Sequence, residues 1–155
     1  MKFATLSCLT LLAASTAAQT VTVSTTPQNA EQVYYRLTDD AQTSAALADW
    51  DIAFEITGIT GSVLVNTAKG MAVYKAPYTV AQWDQLDTAG LSAGWPEQQN
   101  SEINWSSGAL NQGLTANPFD LGWGIYNPVD HSIAGDSLFV LRRADGAYKK
   151  FKVNG

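Results

Sequence analysis

The seven residues WDIAFEI, positions 50–56, constrain this chain more than any other stretch. Trp50, Ile52, Phe54 and Ile56 fall on one side of an alternation, and Asp51 and Glu55 fall on the other. Residues two apart share a face only on an extended strand, because a helix turning about 100° per residue scatters them. The stretch therefore predicts a β-strand with one buried face. Further strands are predicted at VYYRL (33–37), VLV (63–65), GMAVYKAP (70–77, closed by Pro77), GWGIYN (122–127), SLFVLRR (137–143) and AYKKFKV (147–153). Ala144, Asp145 and Gly146 separate the last two, and Asp-Gly between two strand-like runs signals a hairpin.

One segment breaks this pattern. TVAQWDQLDTAG, 79–90, spaces Val80, Trp83 and Leu86 by three, with Thr79 placed to cap and Gly90 to stop. It predicts a short helix that depends on tertiary packing. Residues 92–117 are rich in Gly, Ser, Asn and Gln and read as loop, interrupted by a brief strand at 102–105. No segment of 20 to 50 residues repeats, which argues against a solenoid or propeller. The expected fold class is all-β, an antiparallel β-sandwich with one short helix. At 155 residues and 46% hydrophobic, the chain is long enough for one domain with a real core.

The first residues, MKFATLSCLTLLAASTAAQ, carry a compartment signal. Lys2 gives a positive start, and residues 4–14 form an apolar stretch too short to span a bilayer. Small residues follow at 15–18, so 1–18 reads as a signal peptide cleaved after Ala18. The single cysteine, Cys8, would leave with it, and the mature chain would hold neither a disulfide nor a cysteine nucleophile. Residues 19–32 read as an extended leader and 33–155 as the β domain. No later segment reaches the length of a membrane helix, so an integral membrane protein is not expected. The net charge of −5 argues against nucleic acid as a partner, because phosphates need cationic neutralisation. Five of the nine basic residues (Arg142, Arg143, Lys149, Lys150 and Lys152) gather late, on what reads as a solvated strand face.

Several of these stretches together resemble the HmuY-like family of secreted or surface proteins of Bacteroidetes-type bacteria. The resemblance rests on Trp50-Asp51-Ile52-Ala53-Phe54, on Val33-Tyr34-Tyr35 before it, and on Val65-Asn66 followed by Gly70-Met71-Ala72-Val73-Tyr74. It continues in the aromatic-glycine strand, the histidine loop, Leu138-Phe139-Val140 and Asp145-Gly146-Ala147-Tyr148-Lys149-Lys150-Phe151. It runs from about residue 33 to 153. It implies stacked antiparallel strands and, for the founding members, haem capture outside the cell between a pair of side-chain ligands. It also implies, for some members, a C-terminal sorting domain for type IX secretion to the cell surface. Two features depart from that pattern. The chain stops at Gly155, where members usually continue, so a fragment or a reduced version is expected. It holds one histidine, so two histidine ligands within one chain are excluded.

His131, in GWGIYNPVDHSI, is that histidine. Imidazole is the commonest metal ligand and can hold haem iron. Met71, the only methionine after signal removal, is the candidate for the second axial position, alongside a tyrosine or water. Lys149 or Lys150 could meet the propionates. The other reading of His131 is a turn residue whose ring serves the loop's hydrogen bonds. Catalysis is not expected, since Ser132 beside His131 does not make a triad and no nucleophile elbow or phosphate-cradling glycine loop occurs. Asp51 reads as a structural carboxylate that fixes a connection. Carbohydrate binding is the alternative to haem. Trp83, Trp95, Trp105 and Trp123 could stack on sugars, and Trp95, between Gly94 and Pro96, is the one expected at the surface. A third reading is a scaffold module with no small ligand.

Overall fold

A computed structural model describes residues 32–38, 41–43, 49–57, 60–92, 94–103, 106–111 and 115–154. The expected signal peptide (1–18), the expected leader except Gln32, and Trp105 lie outside the described residues.

The protein is all-β, and its strands pair antiparallel. Strands β1 (Val33–Arg36), β2 (Ala41–Thr43), β3 (Ile52–Thr57) and β4 (Thr60–Val65) form one sheet in the order β2-β1-β3-β4. The next strands are β5 (Ala72–Thr79) and β6 (Glu97–Gln98). Two small hairpins follow, β7 (Glu102–Ile103) with β8 (Ser106–Ser107) and β9 (Gly124–Tyr126) with β10 (Ile133–Gly135). Strands β11 (Ser137–Arg142) and β12 (Tyr148–Phe151) join β5 and β6 in a second four-stranded sheet, ordered β12-β11-β5-β6.

The two sheets share one core. Ile52, Val63 and Val65 from the first sheet meet Val73, Phe139 and Leu141 from the second, with Leu110, Leu121 and Trp123 filling in between. Each such aliphatic or aromatic side chain taken from water contributes about 1.5–3 kcal/mol. Strand β11 is buried on both faces. Its other side chains, Leu138 and Val140, face a second cluster with Ala76 and Leu86, over which Tyr78, Val80, Trp83, Leu91 and Trp95 are packed.

The alternation at 50–56 gives β3, with Ile52 in the core and Phe54 packed against it. Asp51 differs from the polar-face expectation, being 1% exposed. Its carboxylate accepts from Leu37 N at 2.7 Å and from Lys69 Nζ at 2.7 Å, so charge pairing offsets its desolvation. Lys69 also donates to Asp49 O. Asp51 thus pins the end of β1 and the turn after β4 to the start of β3.

Pro77 does not end β5. The strand continues to Thr79, and the register against β11 shifts between Ser137, opposite Thr79, and Leu138, opposite Ala76. The proline has no N–H to give a ladder, and a bulge is where such a residue fits. The single helix expected over 79–90 is instead a 3-10 helix over Val80–Gln85 and one α-helical turn at Ala89–Ser92. Leu86 is extended (φ −69°, ψ 120°) and fully buried, and Asp87 Oδ1 accepts from Ala89 N. Burying Leu86 beneath the second cluster and the Asx turn at Asp87 interrupt the helical ladder.

The polar stretch 92–117 is more than a surface loop. Strand β4 lies at the edge of the first sheet, and this stretch covers it. Val63 N donates to Asn111 Oδ1 at 2.9 Å and Val63 O accepts from Leu110 N at 3.2 Å. Val65 N donates to Asn100 Oδ1 at 3.0 Å and Val65 O accepts from Asn100 Nδ2 at 2.6 Å. Two asparagine amides and one backbone amide thus stand in for a missing neighbour strand.

Candidate functional site

The turn that joins β9 to β10 carries His131. Asn127 N donates to Ser132 O at 2.8 Å and His131 N to Asn127 O at 2.9 Å, which closes the turn. Asn127 Oδ1 accepts from Val129 N, and Asp130 Oδ1 accepts from both the N–H and the hydroxyl of Ser132. Those Ser132 hydrogen bonds hold the Asp130 carboxyl below its usual range. His131 has φ 62°, the only positive φ on a non-glycine residue among the described residues. Histidine is one of the few side chains that visits this region, and such residues concentrate at functional sites.

The imidazole is braced from below. Its Nδ1 lies 2.5 Å from the Tyr126 hydroxyl, and the two ring centroids are 6.0 Å apart. Tyr126 is buried in the main core, so the brace is fixed. Phe119 lies 6.2 Å from Tyr126 and is 37% exposed, and Val129, in the turn itself, is 87% exposed. The His131 side chain is exposed, and its Nε2 makes no hydrogen bond among the described residues. The outcome is an oriented imidazole in an exposed turn that also carries Val129. Ser132 Oγ is engaged with Asp130 at 2.7 Å rather than with His131.

Met71 is elsewhere. It is 3% exposed within the main core, and its N donates to Asn66 O, just past β4. The β9–β10 hairpin is fastened at the opposite end of β4, where Trp123 Nε1 donates to Gly61 O at 2.9 Å. Gly61 and Asn66 are five residues apart, roughly 16 Å along an extended strand. The structure does not bring Met71 and His131 together. Lys149 Nζ donates to Leu37 O and Lys150 Nζ to Trp83 O, so both ammonium groups have partners away from the turn.

Beneath the hairpin lies a polar cluster that the sequence did not single out. Lys75 Nζ donates to Gly122 O at 2.6 Å, and burial pushes the ammonium pKa down against the opposing pull of Asp120 and Asp136. Burial alone would raise the Asp120 carboxyl, but hydrogen bonds from Gly122 N and Thr115 N outweigh it and leave it below the usual carboxylate range. These contacts fix the base of β9.

The outer face of the second sheet carries Tyr78, Trp83 and Trp95. Trp95 is half-buried and meets Tyr78 edge-on, with centroids 5.9 Å apart at 85°. Trp83, from the 3-10 helix, lies near two ammonium groups, Lys150 Nζ at 5.6 Å and Lys152 Nζ at 5.5 Å from its ring centroid. Further along β5, the Tyr74 hydroxyl donates to Glu97, and burial followed by that carboxylate raises the phenol pKa.

Comparison of the chain with family models, curated proteins and solved structures finds no match in any of the three. Among the described residues, no helix is long and apolar enough to cross a membrane.

Proposed function

We propose that the chain works outside the cell as a non-catalytic binding domain, and that it captures haem at the β9–β10 turn with His131 as the iron ligand. The observation that carries this reading is the Tyr126–His131 pair. A ligating histidine is ordinarily oriented by a hydrogen bond at its other ring nitrogen. Donation from Nδ1–H to the Tyr126 oxygen would leave the lone pair on Nε2, the exposed nitrogen. Phe119 and Val129 supply apolar contact for a porphyrin edge. Met71 has no part in this reading. Export rests on the signal peptide expected at 1–18 and the surface-protein resemblance.

Haemin titration of the chain from Gln19 tests it. A Soret shift at micromolar haemin is expected, lost in His131→Ala and weakened in Tyr126→Phe. An unchanged shift in His131→Ala, or no shift in the parent chain, overturns the reading.

A second reading, carbohydrate binding on the outer face of the second sheet, is favoured by the edge-on bracing of Trp95 by Tyr78. Such bracing holds an indole still enough to receive a sugar ring. It expects a tryptophan fluorescence response to glycans that Trp95→Ala abolishes while His131→Ala leaves it intact.

A further inference from the structure

Two ammonium groups converge on one indole at the edge of the second sheet. Lys150 lies opposite Val140 in the β11–β12 ladder, and Val140 faces the second cluster, so Lys150 stands on the outer face. Lys152, two residues on, shares that face. Both Nζ atoms lie within 5.6 Å of the Trp83 ring centroid. Lys150 Nζ also donates to Trp83 O at 3.2 Å, but like charges brought together repel, and the attraction of an exposed ammonium to an indole is modest. Neither lysine forms an ion pair among the described residues, although the whole chain carries a net charge of −5.

We infer that Lys150, Lys152 and Trp83 form a subsite for an acidic glycan, one bearing uronate or sulfate groups. Charge complementarity selects an anion, because two cations without carboxylate partners meet there. The aromatic side chains select a sugar among anions. Trp83, Tyr78 and Trp95 all pack over the one cluster formed by Ala76, Leu86, Leu138 and Val140, so the three aromatic side chains share the outer face of the second sheet with the lysines. The four strands span roughly 14 Å, three inter-strand spacings, which is room for several sugar rings. In this arrangement the anionic group sits between the two ammoniums and the pyranose faces meet the rings. The inference rests on the carbohydrate reading of this face and adds the charge of the ligand. It is independent of His131.

The test uses oligogalacturonate, its fully methyl-esterified form and a heparin-derived hexasaccharide, with tryptophan fluorescence and calorimetry as readouts. Binding of at least one acidic oligomer is expected at low salt, weakening as salt rises. Lys150→Gln/Lys152→Gln should weaken it by about tenfold, the combined loss of two exposed ion pairs, with an unchanged thermal midpoint. Trp83→Phe, which keeps a ring in place, should retain part of the affinity. Equal binding of the acidic and esterified oligomers, or of the parent and the double lysine variant, overturns the acidic subsite and leaves the carbohydrate reading standing. Silence from all three saccharides overturns both. Binding to phosphatidylserine vesicles without binding to any saccharide overturns it in favour of a lipid surface.

Discussion

Asn111 is fully buried, and both heteroatoms of its amide are in use. Oδ1 accepts from Val63 N, and Nδ2 donates to Gly61 O at 2.7 Å and Leu121 O at 3.0 Å. Gly61 O has a second donor in Trp123 Nε1, whereas Val63 N relies on the asparagine. Asn111→Ala strands a buried donor and at least one acceptor. A loss of about 2–4 kcal/mol in urea unfolding is expected from two such groups. A loss under about 0.5 kcal/mol would mean that water replaces the amide. His131 shows how far a single residue was legible. As the only imidazole it announced itself, but its partner did not. Tyr126 reads as one aromatic among several in GWGIYN, and only the cross-strand pairing of β9 with β10 sets the two rings together.

The β11–β12 hairpin and the β10 strand make opposite demands on glycine. Gly146 has φ 82° in the turn, with nothing within 4 Å of an added Cβ. Gly146→Ala should therefore cost only the left-handed backbone penalty, about 1–2 kcal/mol. At Gly135 an added Cβ would lie 1.7 Å from Val153 O, so β10 and residues 153–154 cannot keep their places. Gly135→Ala should cost more than Gly146→Ala, and thermal melts of the two variants rank them. Equal melting points would refute the close packing. The Asp-Gly hairpin and β3 were readable because long alternating strands write their period into the sequence. Strands β2, β6, β8 and β10 have two or three residues each, too few to show a period. The helix over 79–90 was half right, since spacing by three placed Val80, Trp83 and Leu86 correctly on one cluster but said nothing of the break. The meeting of Lys150 with Trp83, 67 positions apart, was not legible at all, because only the stacking of the 3-10 helix on the second sheet creates it.

On the scale of the whole molecule, one response to pH follows from Asp120, which accepts from Thr115 N and Gly122 N. The Asp120 pKa is lowered from 3.8 in the folded chain, so the folded state holds the charged form more tightly than the unfolded state does. Its contribution is fully present above about pH 4 and is lost as pH falls through the lower folded value. Asp120→Asn keeps only one of two acceptors facing Gly122 N and Thr115 N. The variant should melt lower than the parent at pH 6, with the gap narrowing below pH 4. A gap of constant size from pH 6 to pH 2.5 would assign the role to shape rather than charge.

The covering of β4 by Asn100 and Asn111 has a consequence for ageing. Spontaneous hydrolysis of the Asn100 amide would replace the nitrogen that faces Val65 O with an oxygen, turning attraction into repulsion. The outer edge of β4 would then lose one of the bonds that cover it, while Asn111 and Leu110 still cover Val63.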